Sequence, residues 1–279
     1  MLAVTPAVPH TRRIGVVLFV VTAACWAYLF FLQAQMTGLA GAGAMDSMST
    51  MDTMSAARSA FAMPMTSAWT GQDVVLMWTM WAVMMAAMMT PSALPMLQAY
   101  ATSVGSGAAR SRTGVDGSTP LFVAGYLAAW SGFAAVATVA QWGLHHATLV
   151  DAMGASTSRW LAGGVLVAAG VYQFTPMKEA CLGQCRAPLG FLLSEWRAGS
   201  RGALVMGIHH GTLCIGCCWA LMALLFVLGV MNLWWIALVA TVVLIEKVTR
   251  RDAIPRLVGS GLLVWGSLIV AGVIQLGPS

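Results

Sequence analysis

The densest concentration of metal-ligating side chains is the stretch HHGTLCIGCCW, from His209 to Trp219. At 100° per residue on a helix, Cys214 and Cys218 fall about 40° apart, His210 falls about 40° to the other side of Cys214, and Cys217 lies just beyond it. One face therefore carries an imidazole and three thiols, a donor set that suits Cu(I) and also zinc. His209 falls about 140° from Cys214, which suits packing or hydrogen bonding rather than ligation. Met206 and Met222 extend the soft-donor arc in each direction, and Gly207 and Gly211 form a GxxxG step that lets a neighbouring helix come close. A single Cys in an apolar helix is an ordinary small hydrophobe. Three of them on one arc with a His point to a bound soft metal.

A second set of soft donors lies in MWTMWAVMMAAMMTPSALPM. Relative to Met77, the residues Met80, Met84 and Met88 all fall within about 60°, with Asp73 on the same side. They form a thioether stripe along one helix. Met85, Met89 and Met96 make another stripe about 100° round, which fits ordinary packing, the commonest use of methionine. Met45, Met48, Met51 and Met54 recur every third residue among Ser, Thr and Asp, followed by Met63 and Met65. In so polar a segment these thioethers have no core to fill. They could capture Cu(I) in an oxidising space without closing into disulfides, or reflect compositional drift alone.

The stretch YQFTPMKEACLGQCRAPLGF carries two further thiols. Pro176 suits a helix start, after which Met177, Cys181 and Cys185 share one face at i, i+4 and i+8. Lys178 and Arg186 would favour thiolate over thiol. C-x3-C is less specific than C-x2-C for structural zinc, and no second pair completes a closed site. The expectation is an exposed, reduced relay pair.

The elements that must position these residues are membrane helices. The chain has 279 residues, 59% hydrophobic and 8% charged, where a soluble domain carries about a quarter charged residues. The uncharged stretch from Gly202 to Ile245 far exceeds the ~20 residues that cross a bilayer. Apolar runs at about 14–35, 73–97, 120–143, 160–177, 203–229, 232–248 and 257–276 predict an all-α, polytopic bundle of about seven transmembrane helices. The formal charge of +5 does not point to nucleic acid, because the basic residues stand at the ends of apolar runs.

With Arg12 and Arg13 in the cytoplasm, twelve basic residues face inside: those two with Arg110, Arg112, Lys178, Arg186, Arg197, Arg201, Lys247, Arg250, Arg251 and Arg256. Only Arg58 and Arg159 face outside, so N-in and C-out follows from the positive-inside rule. The expected location is a bacterial inner (cytoplasmic) membrane. The first run could be a secretory signal, but Ile14 to Leu32 is longer than a signal core, and an uncleaved helix is expected. The organisation is then a first helix (1–35), a Met-rich outside segment (36–72) and a metal-binding membrane domain of six helices (73–279). None of the six cysteines falls in an outside loop, which argues against a disulfide framework.

These motifs together, the W-x-x-M-M-x-A-M-M-x-P run, the C-L-x-x-C-R-x-P run and H-x-G-x-x-C-x-G-C-C-W-x-L-M, resemble the bacterial "predicted metal-binding integral membrane protein" family, a domain of unknown function. The resemblance covers roughly residues 70 to 275. It falls on Trp81, Met84, Met85, Met88, Met89 and Pro91, on Tyr172 through Pro188 including Cys181 and Cys185, and on His210, Cys214, Cys217, Cys218 and Met222. What it implies is metal binding.

The chemistry read from the residues is Cu(I) handling: outside methionines gather the ion, Met77, Met80, Met84 and Met88 pass it on, His210, Cys214, Cys217 and Cys218 hold it, and Cys181 and Cys185 receive it. No P-loop is present, so movement would be passive or coupled to a partner, either a membrane enzyme receiving copper or a metallochaperone. An alternative is a redox or electron-transfer subunit. His145 and His146, adjacent on a helix, diverge by about 100° and cannot jointly face one haem, and no C-x-x-C-H motif occurs.

Overall fold

Each of the long apolar runs is helical in the computed structural model, which describes residues 8–42, 69–105, 118–150 and 156–274. The helices are α1 (Val8–Ala42), α2 (Gly71–Gly105), α3 (Ser118–His146), α4 (Arg159–Tyr172), α5 (Pro176–Arg186), α6 (Pro188–Glu195), α7 (Gly199–Ala223), α8 (Leu225–Leu228), α9 (Leu233–Val248) and α10 (Ala253–Val270). Among the described residues the fold is all-α, with one isolated bridge between Val150 and Ser156. Met45, Met48, Met51, Met54, Met63 and Met65 lie outside the described residues.

Among the described residues, five helices are long and apolar enough to cross a membrane: Gly15–Ala34, Gly71–Val104, Ser118–His146, Gly199–Leu228 and Ala253–Val270. The other two expected spans are shorter. α4 has 14 residues and α9 has 16, roughly 21 and 24 Å at 1.5 Å per residue, against about 30 Å of hydrocarbon. α4 ends early for a local reason. The Thr175 hydroxyl accepts from the Lys178 backbone N–H at 3.3 Å, and Pro176 takes the first position of a new helix, α5. The fourth apolar run thus ends in a capped break from which a second helix, α5, leads off.

Small residues set how closely the helices approach. α3 and α7 run parallel, and a Cβ added at Gly207 would stand 2.1 Å from the Phe122 carbonyl oxygen. One at Gly125 would stand 2.2 Å from the Leu204 carbonyl oxygen, and one at Gly211 would stand 2.6 Å from the Ala129 Cβ. The expected GxxxG step is a backbone-to-backbone contact. α4 and α10 form an antiparallel counterpart in which Gly163 faces Gly266 and Gly170 faces Gly259.

These packings put the end of α3 and the starts of α4 and α9 at one end of the bundle, where Trp142, Trp160 and Trp234 are exposed. The start of α7, the ends of α5 and α9 and the start of α10 lie at the other, with Arg186, Arg197, Arg201, Arg250, Arg251 and Arg256. Two residues counted as topology charges are not at the surface. Lys178 and Lys247 are buried, at 1% and 7% exposure.

Candidate metal centre

The three cysteines of α7 are buried side by side in the bundle. The Cys217 and Cys218 thiols each donate to the Cys214 carbonyl oxygen at 3.0 Å. The Cys214 sulfur accepts from the Lys247 ammonium of α9 at 2.7 Å and lies 3.2 Å from the Tyr126 hydroxyl of α3. Lys247 also donates to the Ser92 hydroxyl of α2 at 3.0 Å. Cys218 Sγ reaches the Met89 Sδ at 3.9 Å. Four helices therefore meet at the thiols.

α2 carries Pro91 and Pro95 in its interior at this level, where each removes a backbone donor from the helix. Side-chain hydroxyls bond neighbouring carbonyls of the same stretch. Thr90 donates to the Ala86 oxygen at 2.6 Å, and Ser92 to the Met89 oxygen at 2.8 Å, which Tyr126 also reaches at 3.2 Å.

His210 belongs to the same interior. It is 3% exposed, lies among the rings of Phe122, Tyr126 and Phe191 at 6.1, 5.8 and 5.4 Å between centroids, and its Nδ1 has no hydrogen-bond partner. A buried ring nitrogen without a partner is a costly arrangement that a ligand relieves. His209 points elsewhere, as its helical angle requires, and its Nδ1 pairs with Glu195 at 3.3 Å.

α5 brings the second pair of thiols against α7. Cys181 packs on Gly216, where a Cβ would stand 2.8 Å from its sulfur, and Cys185 lies beside Cys217. The Tyr172 hydroxyl donates to the Gly216 carbonyl and anchors the break between α4 and α5. Both thiols of the pair are half-buried rather than fully exposed, and Met177, 59% exposed, does not share their packed side.

The expected thiolate character is also reversed. Burial pushes the Cys181 thiol up, and hydrogen bonding with Cys217, then burial, push Cys185 well up. The cations named for the opposite effect are engaged elsewhere. Lys178 donates to the Glu246 carboxylate at 2.7 Å, and Arg186 donates to the Glu246 carbonyl at 2.9 Å and to Asp252 at 3.0 Å.

Met77, Met80, Met84 and Met88 are all buried, and so are Met85, Met89 and Met96. The thioether that reaches the thiols is Met89, from the stripe assigned to packing. Met222 is buried on α7, and Met206 accepts from the Arg197 backbone N–H at 3.2 Å. His145 and His146 lie against Trp69 and Trp142 at 6.1 and 4.7 Å.

Sequence reasoning missed Met89, Ser92, Tyr126 and Lys247 as neighbours of the thiols. A signal existed for Lys247, since an ionisable residue inside an apolar run marks a functional site by default.

The donor chemistry fits a soft monovalent ion: thiols, one thioether and an imidazole nitrogen in a dry interior. Among the described residues, no three His, Cys, Asp or Glu side chains stand together as a preformed ion-holding group, because the Cys217 and Cys218 thiols are turned to the helix carbonyl. A thiol has other staggered χ1 wells, so its sulfur can leave that carbonyl while the backbone stays in place.

No curated protein and no solved structure matches the chain. The family model PpoB2, described as copper chaperone, matches residues 78–269, a range that holds Met89, Cys185, His210, Cys214, Cys217, Cys218 and Lys247. By that match the chain belongs to the PpoB2 copper chaperone family.

Proposed function

We propose that this protein is a membrane-embedded Cu(I) carrier that holds the ion inside its helical bundle and delivers it to a partner, either a membrane enzyme under assembly or a metallochaperone. The observation that carries this reading is the burial of Cys214, Cys217 and Cys218 with the Met89 thioether at 3.9 Å from Cys218, Cys185 beside Cys217, and the unpartnered His210 nitrogen in the same interior. Thiolate and imidazole alone would suit zinc equally. The thioether favours copper. Membership of a copper chaperone family supports delivery over free passage. Cys181, packed on Gly216, extends the set along α5, and Met77, Met80, Met84, Met88 and Met222 line the interior beside it as auxiliary soft donors.

The concentration of arginines at one end, with Arg159 at the other, supports an orientation with the arginine-rich end in the cytoplasm. The N-terminus is then inside, the C-terminus outside, and the membrane the inner one of a bacterium. In this reading the two short helices, α4 and α9, cross with help from the segments that follow them. α5, which follows α4, is joined to the inner end of α9 by the Lys178–Glu246 ion pair.

The experiment is elemental analysis of the full chain purified without oxygen, followed by reconstitution into liposomes. Copper in stoichiometric amount and above zinc is expected, with a reduced copper content in Cys214→Ser and Cys218→Ser. Liposomes that bind copper without admitting it support the carrier, whereas uptake by the chain alone would make it a transporter. Stoichiometric zinc with no copper would overturn the reading.

A further inference from the structure

Lys247 is a buried cation with an unusual set of neighbours. Its ammonium donates to the Cys214 sulfur at 2.7 Å and the Ser92 hydroxyl at 3.0 Å, and the residue is 7% exposed. The carboxylates near it in the chain are taken. Glu246 pairs with Lys178 at 2.7 Å, both side chains 2% exposed, and Asp252 pairs with Arg186 at 3.0 Å. A buried ammonium needs a nearby negative charge, because burying an ion away from water is expensive unless it is paired. At the Lys247 nitrogen the group positioned to supply that charge is the sulfur of Cys214.

We propose that Lys247 is the built-in counter-cation of a thiolate-bound Cu(I) ion, and that the loaded centre holds the metal on two deprotonated thiols, one of them Cys214. This rests on the copper reading above and adds to it the charge and stoichiometry of the site. Cu(I) on two thiolates carries a net charge of −1, which the ammonium cancels. A third thiolate would leave the buried centre at −1 overall, without a partner. Any further donors are therefore neutral, and Met89 and His210 are the ones at hand.

Loading balances without redox chemistry. Cu(I) enters, bonds form to the Cys214 sulfur and to a second sulfur, the second thiol's proton leaves to water, and the copper stays monovalent. The site has the same total charge before and after, so the ion crosses into a low-dielectric interior without leaving net charge there.

The test uses the full chain in detergent, without oxygen, titrated with the Cu(I)–bicinchoninate complex as the copper donor. Lys247→Met and Lys247→Gln should each lower Cu(I) affinity by roughly tenfold or more, as expected when one partner of a buried charge pair is removed. Gln keeps a hydrogen-bond donor for Ser92, so a purely packing or hydrogen-bonding role would leave it near the wild type. In a double-mutant cycle, Lys247→Gln should add little to Cys214→Ser, because the two act on one charge pair. Copper X-ray absorption should count two thiolate sulfurs in the wild type.

Folded Gln or Met variants that bind Cu(I) as tightly as the wild type, or tighter, would overturn the proposal, as would additive losses in the cycle or three thiolates at the metal. If Met does not fold, the Gln variant alone decides. A wild type that binds no Cu(I) would instead sink the copper reading itself, so the two failures are distinguishable.

Discussion

His209 and His210 are consecutive on α7 and occupy opposite environments. His209 pairs with Glu195 at 3.3 Å with its side chain 42% exposed, while His210 is 3% exposed, ringed by aromatics, with Nδ1 unpartnered. The helical period alone separates them by about 100°, and α6 sets Phe191 between the two rings, 5.6 Å from His209 and 5.4 Å from His210, with Glu195 beside His209 alone.

His210→Ala is accordingly expected to abolish or greatly weaken Cu(I) binding with the helical fold retained, while His209→Ala keeps most of it. Competition titration of Cu(I) under reducing conditions, with circular dichroism as the fold control, reads both. Loss in His209→Ala with retention in His210→Ala would show that the ligand face has been misassigned.

The methionines divide in a similar way. Met89 Sδ lies 3.9 Å from Cys218 Sγ, so Met89→Leu, close in volume and lacking only the sulfur donor, should weaken Cu(I) binding several-fold at little cost in stability. Met84→Leu combined with Met88→Leu should lower copper content or its transfer to an acceptor by less. Wild-type copper content and transfer in that double variant would reduce the Met77–Met88 stripe to packing.

The buried pair Lys178–Glu246 ties α5 to α9 beside the thiols. Removing one partner strands a charge in the interior, so Lys178→Met or Glu246→Gln should each destabilise the protein by about 3–5 kcal/mol. Lys178→Met together with Glu246→Leu should cost clearly less than the sum. Thermal unfolding in detergent compares the three, and simple additivity would mean the pair does not act as a unit.

Close packing of α3 on α7 predicts a contrast between two glycines. Gly207→Ala places a methyl group 2.1 Å from the Phe122 carbonyl oxygen, an overlap that only a shift of backbone can relieve, at about 1–3 kcal/mol or more. Gly132 has nothing within 4 Å of the same position, and Gly132→Ala should be neutral or slightly stabilising. The melting temperatures of the two variants check the assignment, and so does copper affinity, because a rotated α7 would carry His210 and Cys214 with it.

What the sequence by itself determined was whatever depends on a single helix. Composition and run length required membrane helices, and the 3.6-residue period put His210, Cys214, Cys217 and Cys218 on one face of α7 with His209 off it, whatever packs alongside. The GxxxG step was legible for the same reason, since a stripe of missing side chains is a property of one helix surface. The tertiary structure decided what comes from elsewhere in the chain. Met77–Met88 and Met85–Met96 are equally good stripes along α2, and only the way that helix is turned in the bundle put Met89 beside Cys218. Lys178 and Lys247 read as topology charges because a count of basic residues is the same whether a lysine sits at the surface or within the bundle. Pairing with Glu246 and Cys214, residues 68 and 33 positions away, drew them inside. Cys185 joined Cys217 only because the capped break at Thr175–Pro176 folds α5 back along α7, a contact that no local period encodes.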